Sequence, residues 1–461
     1  MKKIYILKGI ILLMGLVLLM GLQQIMAETP VSPAAVLPAE PMGQTTALPA
    51  VPMLDQPAAS TPKRKEPFRD IDANFLSGYY QQDGNNSAVT GGIGTEKLND
   101  FSNVFIINVP LDSVNAISLL AGSDTYTSAS TDNIDSNVSS ASYQDTRNYG
   151  TLGYSRKNLK RSSSWGVRGG VSREYDYQSF STGISYNKEW NDGNTGLNLT
   201  GQAFFDKWLG KKHSNQLIYP ELWLGDFLGY AMHSDPKRHS YNASLFLSQT
   251  LSRRLQIGVS AELIYMTGLL STPFHSVYFA DKEEFAFDIE RLPSSRLKIP
   301  LGVRLNYFPF DFLVLRAFYR YYTDDFGITS HSYNIETPVK LSNEWTLSPF
   351  YRFHTQTAAT YFAPYKTHTS DQQFYTSDYD LSAMETQRIG MGVKYYPNEA
   401  ILRSPRAYDF IGIFQFKYAE LRGAFYTRST DLKAFVSADP SQSKGLQAFN
   451  VSLNLGFGIK Y

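Results

Sequence analysis

The chain contains no cysteine, which excludes disulfides, thiolate metal sites, a cysteine nucleophile and a lipidated N-terminal cysteine. It also lacks a large net charge: 43 lysines and arginines against 42 acids give +1, so the charge balance offers no argument for nucleic-acid binding. After residue 27 the sequence has no apolar run long enough for a membrane-spanning helix. If the remaining chain lies in a membrane, it therefore does so as a β-barrel.

The first 67 residues differ from the rest. Lys2, Lys3 and Lys8 precede an apolar run over 9–22, and Ala27 offers a small residue for cleavage, so residues 1–27 are predicted to be a secretory signal peptide. An uncleaved anchor is the alternative. Residues 28–67 are rich in proline and alanine, a composition typical of extended, solvated chain, and are predicted to be a disordered linker.

The end of the chain alternates apolar and polar residues without a break. Between its apolar positions lie small or polar residues such as Asn450 and Gly456. Period two predicts a strand with lipid on one side and a wet lumen on the other, although an ordinary sandwich strand has the same period. The apolar positions are predicted to form a signal for the barrel assembly machinery: Phe449, Val451, Leu453, Leu455, Phe457, Ile459 and Tyr461.

The same alternation recurs over 197–205, 241–247, 255–263, 297–305 and 389–395. Short turns at 110–112, 191–194, 252–254, 309–311 and 341–343 alternate with long polar stretches at 123–142, 207–238, 267–296, 356–380 and 431–446. This pattern predicts an all-β fold, a transmembrane antiparallel barrel over 68–461, with about 16 strands or 14 as the fallback. The uncertain stretches are 81–99 and 408–430. Aromatic residues, 14% of the chain, would supply girdles against outer-membrane lipid in a Gram-negative bacterium.

Four stretches carry a resemblance to a known family: SGYYQQDG (77–84), VTGGIGTE (89–96), AGSDTYTSAS (121–130) and YQDTR (143–147). The chain resembles a family of bacterial outer-membrane proteins catalogued as domain of unknown function 3570. The resemblance implies an outer-membrane barrel without an established activity. It also implies an association with a periplasmic flavin transferase and with small redox proteins or lipoproteins of the periplasm.

Residues 124–130 are similar to the flavin-attachment pattern D-x-x-[S/T]-G-A-[S/T]. By that similarity Ser130 would accept FMN through a phosphodiester and Asp124 would be the leading acid, with Ser128 in place of the glycine. A close backbone approach favours glycine there, so the serine weakens the match. The simpler interpretation is a Ser/Thr-rich start of a surface loop, and no cofactor is then expected.

The polar faces of the predicted strands carry more cations than acids. Rings of Arg and Lys favour anions in pores, whereas cations that pair across a lumen only brace the barrel. The acids predicted to face inward are Glu174 and Glu262, and the other acids fall in the spacers. The cations predicted to face inward are Arg168, Lys298, Arg304, Arg316, Arg320, Arg352, Arg388 and Lys394.

No catalytic motif is found, because the seven histidines are scattered and neither H-E-x-x-H nor G-x-S-x-G occurs. No enzyme activity, metal site or nucleic-acid partner is expected. Three functions remain open: a pore or transport-related barrel with a cationic lumen, a component of an extracytoplasmic flavin-linked electron-transfer pathway, and a structural or interaction barrel.

The flavin hypothesis predicts a covalent modification. Protein from a host that has the transferase should gain the mass of one FMN on the peptide that contains Ser130, and Ser130→Ala should abolish the gain because the phosphodiester needs a hydroxyl. Peptide mass spectrometry measures this directly. An unmodified peptide, together with no flavin absorbance in the purified protein, would remove the redox hypothesis.

Overall fold

The computed structural model describes residues 71–86, 97–127, 144–174, 177–209, 212–213, 216–217, 237–272, 275–283, 287–397, 414–433 and 445–459. The predicted signal peptide at 1–27, the linker at 28–67, the candidate FMN acceptor Ser130 and the terminal Tyr461 lie outside the described residues.

The described chain forms one closed antiparallel barrel of sixteen strands, which confirms the predicted fold class and strand number. The strands are β1 (Ile71–Gly84), β2 (Leu98–Pro110), β3 (Asn115–Thr127), β4 (Gln144–Asn158), β5 (Ser163–Arg173), β6 (Tyr177–Trp190), β7 (Thr195–Trp208), β8 (Lys237–Ser252), β9 (Leu255–Gly268), β10 (Ser295–Phe310), β11 (Leu313–Asp324), β12 (Thr329–Glu336, continued by Val339–Lys340), β13 (Trp345–Gln356), β14 (Met384–Tyr395), β15 (Phe414–Thr430) and β16 (Leu446–Ile459).

Each strand pairs with its neighbours in sequence, and β1 pairs with β16 over their full described lengths, from Ile71↔Ile459 to Gly84↔Leu446. This pairing closes the barrel and leaves no free sheet edge. Two single 3-10 turns occur at Leu159–Arg161 and Tyr379–Leu381. Small two-stranded pairings outside the barrel join Ser276–Tyr278 to Phe287–Ile289 and Lys212–His213 to Gln216–Leu217. Within the described ranges there is no helix of the length and apolarity needed to cross a bilayer.

Alternation sorts the side chains between the two faces of the barrel wall. The middle of the outer face is aliphatic, with Ile184 64% and Ile389 62% exposed. Aromatic side chains flank this band on both sides, as they do in membrane barrels, where they lie at the two lipid–water interfaces. One girdle contains Tyr79, Phe101, Phe180, Phe205, Tyr241 and Tyr265, and the other contains Trp165, Trp190, Phe310, Phe312 and Trp345.

The two rims of the barrel differ in the length of their connections. One rim, the short-turn rim, carries the tight turns 111–114, 159–162, 191–194, 253–254, 311–312 and 341–344. At 191–194 the backbone is left-handed at Asn191, Asp192 and Gly193, a conformation that favours a tight β-hairpin turn. The opposite rim, the long-loop rim, carries 209–236, 269–294, 357–383 and 431–445, as the sequence predicts.

Three connections correct the strict alternation of short and long spacers: two at the long-loop rim are short, and 396–413, which joins β14 to β15 at the short-turn rim, is long. Residues 174–176 join β5 to β6, and Glu174 N–H donates to the carbonyl of Tyr177 over 2.8 Å. Residues 325–328 join β11 to β12, where Gly327 adopts φ +87° and Asp324 N–H donates to the carbonyl of Ile328 over 3.1 Å. At 325–328 the positive φ of Gly327 permits so tight a reversal, and the preceding Asp324 and Asp325 are also common turn residues.

Two of the long loops, 269–294 and 357–383, fold together in their described parts into a cap at the long-loop rim. Arg291 and Tyr375 exchange backbone hydrogen bonds of 3.0 and 2.8 Å, and Ala280 N–H donates to the carbonyl of His368 over 2.8 Å. Side chains from these loops and their neighbours bury a small apolar core: Phe326, Ile328, Ala359, Phe362, Tyr379, Leu381 and Leu432, with a second group of Val277, Phe279 and Tyr375. The cap is therefore packed structure, held by its own core.

The cap also buries titratable groups outside the membrane-spanning strands. Glu290 accepts hydrogen bonds from Thr272 N–H and from the Thr376 hydroxyl, each over 2.5 Å. Burial raises the pKa of Glu290, and the same cause lowers the pKa of His368. Both shifts favour the uncharged form, so the core of the cap avoids the cost of an isolated buried charge.

The outward position of Ile389 gives a test of the barrel. Ile389→Arg should destabilise the barrel by about 2–4 kcal/mol, because the substitution places a charge against lipid near mid-membrane. The measurement is the urea midpoint of heat-modifiable gel migration in lipid vesicles, with Ile389→Leu as the control. Equal midpoints for the arginine and leucine variants would show that this face does not contact lipid.

Candidate functional site

The candidate site lies on the inner face of six consecutive strands, β10 to β15. Along these strands the outward positions are apolar and exposed, such as Leu301, Ile389 and Leu421. The alternate positions point into the lumen and carry most of the predicted cations. All eight of those cations lie on inward positions of the barrel: Arg168, Lys298, Arg304, Arg316, Arg320, Arg352, Arg388 and Lys394.

A cavity of 320 Å³ opens on this wall of the lumen. It contains four arginines against one glutamate, together with two neutral polar side chains and two phenyl rings. Its lining residues are Phe318, Arg320, Ser332, Asn334, Glu336, Phe350, Arg352, Arg388 and Arg422. Three of the predicted cations therefore meet in one place, with a fourth arginine that the sequence analysis did not select.

Two of these arginines face each other directly across neighbouring strands. Arg352 on β13 is the register partner of Arg388 on β14. Side chains in such pairs have Cβ atoms about 4.5–5.5 Å apart, and like charges at that spacing are destabilising. Within the described residues no carboxylate lies within ion-pair distance of either guanidinium, and Arg388 donates to the amide oxygen of Asn450 over 3.0 Å.

The other two arginines of the cavity have acidic partners. Arg422 donates to Glu336 over 2.8 Å and to Glu420 over 3.0 Å, so it joins two carboxylates. Arg320 lies 3.7 Å from Glu262. These pairs are the cross-lumen braces of the bracing hypothesis. The wall therefore combines cations that are paired with acids and two, Arg352 and Arg388, that have no described acid beside them.

The phenyl ring of Phe350 lies against two of the four guanidinium groups of the cavity. Arg422 lies over the Phe350 ring at 4.8 Å from its centroid, and Arg388 lies over the same ring at 5.8 Å. A Cβ added at Gly390, the register partner of Phe350, would come within 2.4 Å of that ring. The absence of a side chain at position 390 thus lets the ring lie against β14. Cation–π contacts favour both arginines at a site where their charges repel each other.

The remaining predicted cations lie outside the cavity. Arg316 is 3.6 Å from Glu336, and Arg304 lies over the Phe318 ring at 5.8 Å. Lys394 is near the Tyr418 ring at 4.2 Å and near Glu420 at 3.9 Å. Lys298 is nearer the long-loop rim, in register with Asp324. Arg168 projects from β5, on a different part of the wall from β10 to β15, where its guanidinium meets the amide group of Gln202.

The prediction that Glu174 and Glu262 are the acids that face inward is incomplete, because further acids face the lumen. Glu336 and Glu420 face the lumen beside the arginines, and Asp206 and Asp324 form inward ion pairs nearer the long-loop rim. Glu336 was missed because it ends a strand that Thr337 and Pro338 interrupt. Glu420 was missed because 408–430 had an unclear strand pattern. The same unclear pattern hid Arg422, although its alternation with the outward Leu421 and Gly423 was a usable signal.

The residues of the flavin hypothesis are only partly described. Asp124 lies on β3 facing the lumen, where the Tyr149 hydroxyl donates to it over 3.4 Å, and its register partner is Arg147. Ser130 lies beyond the described end of β3. Among the described residues nothing supports flavin attachment, and no group of three or more histidines and acids is placed to share a metal ion.

The predicted assembly signal occupies the strand that closes the barrel. Phe449, Val451, Leu453, Leu455 and Phe457 share the outward face of β16, in register with outward residues of β1 and β15 such as Tyr79 and Phe425. Ile459 ends the strand, and Tyr461 follows outside the described residues. Recognition by the assembly machinery stays a prediction.

Substitutions of two arginines in the same cavity are expected to differ in their effect on the stability of the barrel. Arg422→Gln should cost about 1–3 kcal/mol, because Glu336 and Glu420 lose their shortest ion pairs. Arg352→Gln should be neutral or stabilising, because it removes a like charge from a cross-strand pair. Urea midpoints in lipid vesicles measure both variants. Equal destabilisation would mean that Arg352 braces the barrel as Arg422 does.

Three solved structures that align with most of this chain have low sequence identity to it. A bacterial polysaccharide outer membrane secretin has 9% identity and a TM-score of 0.43, with 85% of this chain and 99% of that chain covered. The outer membrane protein opdK of Pseudomonas aeruginosa has 7% identity and a TM-score of 0.37, with coverages of 84% and 99%. The ferric enterobactin receptor of the same organism has 10% identity and a TM-score of 0.38, with coverages of 78% and 54%.

No curated protein matches the chain in sequence. A family model does match, over residues 45–399, which is most of the chain and includes the strands from β1 to β14. The resemblance inferred from the motifs of the first third is thereby confirmed. The chain belongs to the family described as "Protein of unknown function (DUF3570)".

Proposed function

We propose that this protein is a transport-related barrel of the Gram-negative outer membrane whose lumen selects anions. The observation that carries the proposal is the Arg352–Arg388 pair, two like charges in direct register with no acidic partner among the residues that the structure describes. A sheet gains nothing in stability from such a pair. Departures from the rules of stability are expected at functional sites, and an anion between the two guanidinium groups would relieve their repulsion.

The neighbouring ion pairs support the same function. The acids near the cavity are taken up by other cations: Glu336 by Arg316 and Arg422, and Glu262 by Arg320. Neither acid is paired with Arg352 or Arg388. This wall of the lumen therefore carries an excess of positive charge at this level, although the whole chain carries a charge of only +1. Rings of arginine in a pore lining favour anions by this means.

The outer surface supports the location. The exposed aliphatic band between two aromatic girdles fits a hydrocarbon layer with headgroups on both sides. Insertion would use the barrel assembly machinery, with β16 as its signal. FMN at Ser130 and a small periplasmic redox partner stay predictions of the family resemblance.

Ion selectivity in planar bilayers tests the proposal. Under a KCl gradient the reversal potential of the wild-type protein should lie nearer the Nernst potential of chloride than that of potassium. The double variant Arg352→Gln with Arg388→Gln should move it towards zero, because the two unpaired charges are gone.

The matched control is Arg253→Gln with Arg254→Gln, which removes the same charge from an exposed turn at the short-turn rim. This control should keep the wild-type reversal potential. Cation preference in the wild type, an absence of ion conduction, or the same shift in both double variants would contradict the proposed function.

A further inference from the structure

The cavity on β11 to β15 has the features of a discrete binding site. We propose that it is a saturable site for small organic oxyanions that carry two or more negative charges, such as di- and tricarboxylates or phosphate monoesters. The inference rests on the proposed anion-selective lumen and adds to it the class of substrate. Its grounds are the number of available guanidinium groups, the size of the cavity and the distribution of its other side chains.

The number of charges follows from the pairing. Arg352 and Arg388 each present a planar guanidinium that has no carboxylate partner in the described part of the chain, and they lie in direct register on neighbouring strands. Each guanidinium can bind two oxygens of one oxyanion in a bidentate manner. A single negative charge would neutralise only one of them and leave the second repelled by Arg320 or Arg422. Two negative charges on one ligand match the pair.

The size of the ligand follows from the volume. At 320 Å³ the cavity lies at the lower end of the range of about 300–1,000 Å³ that is typical of small-molecule sites. An inorganic anion would leave much of this space to water. A small organic molecule fills it and buries some apolar surface against Phe318 and Phe350.

The orientation of the ligand follows from the register. Arg352 is opposite Asn334, and the next inward pair towards the short-turn rim is Phe350 opposite Glu336. A carboxylate beside the phenyl ring disfavours a second anionic group at that end of the cavity. The charged groups of the ligand therefore lie towards the long-loop rim, at Arg352 and Arg388, and its uncharged part lies beside Phe350.

The other polar residues lie beside the charged groups of the ligand, because Asn334 is opposite Arg352 and Ser332 is one inward position nearer the long-loop rim. They can serve hydroxyl groups next to those charges. The Asn334 amide can both donate to and accept from a hydroxyl group. Ser332 is fixed by a hydrogen bond of 2.7 Å between its hydroxyl and Nδ1 of His354. A hydroxyl-bearing carboxylate or a sugar phosphate would use these groups, whereas a simple inorganic anion would not. Specificity beyond charge is thereby available at this level of the lumen.

The cap lies close to the long-loop side of this site. Gln356, two positions beyond His354 on β13, donates to the carbonyls of Asp380 and Ser382 over 2.9 Å each. Arg428 on β15 pairs with the Asp380 carboxylate over 2.6 Å. A ligand that arrives from the long-loop rim therefore passes beside these contacts before it reaches Arg352.

Competition with chloride tests the inference. Citrate and phenyl phosphate serve as multivalent probes and acetate as the monovalent comparison, each added to wild-type channels that carry a chloride current. Citrate or phenyl phosphate should reduce the current at concentrations at least tenfold below that of acetate, with saturation. Block by only one of the two would assign the site to carboxylates or to phosphate esters.

Variants separate the site from the general charge of the lumen. Arg352→Gln with Arg388→Gln should abolish the tenfold difference. Arg168→Gln, which removes a lumen charge outside the cavity, should keep it. Arg352→Lys should reduce the difference in part, because lysine keeps the charge but loses the bidentate geometry. Heat-modifiable migration confirms that each variant is folded, and calorimetric titration of the wild type with citrate gives a measurement that needs no variant.

The outcomes distinguish this inference from the proposed function. Anion selectivity with equal block by acetate, citrate and phenyl phosphate would overturn the multivalent site and leave the anion-selective barrel standing. Loss of the difference in Arg168→Gln to the same extent as in the double variant would also overturn it. A wild-type channel without anion selectivity would overturn both.

Discussion

The strict alternation of side chains on a closed barrel is the constraint on which the whole structure depends. In lipid every backbone polar group must be paired within the wall, and the β1–β16 pairing completes that requirement. Once the wall is closed, each residue of a strand faces either hydrocarbon or the lumen. A charged residue in the lipid-embedded middle of a strand then has only the lumen available, and a nearly neutral chain can concentrate cations on one part of it.

The lumen wall reconciles this constraint with stability by pairing most of its charges. Arg422 forms ion pairs with both Glu336 and Glu420, and beneath the cap Arg296 forms an ion pair with Asp324. Such pairs offset the cost of removing charges from water only when their geometry is good. Arg352 and Arg388 lie among these pairs, and neither is paired with an acid within the described ranges. Stacking on the Phe350 ring orients the Arg388 guanidinium without neutralising its charge.

Much of the fold was predictable from local pattern. The period of two over 297–305 and 389–395 places Arg304 and Arg388 on inward positions, and the Asn-Asp-Gly turn at 191–194 fixes the register between β6 and β7. Those signals are local because each strand in lipid has an apolar outward face, whichever strands pair with it. Strand β12 was harder to predict because Thr337 and Pro338 interrupt it and Val339 resumes the pairing.

The composition of the site depended on contacts between distant strands. The meeting of Arg320, Arg352 and Arg388 in one cavity depends on the register between β11, β12, β13 and β14, which no single segment encodes. The pairing of Glu336 with Arg422 joins residues 86 positions apart. The cap likewise joins 269–294 to 357–383 through a core whose members look like ordinary loop residues in sequence.

The most direct measurement is the location of a divalent oxyanion in crystals of the protein. Selenate scatters X-rays anomalously, and at saturating concentration it should give one ordered peak between the guanidinium groups of Arg352 and Arg388, absent in the variant with glutamine at both positions. An empty cavity with selenate ordered elsewhere in the lumen would contradict the account.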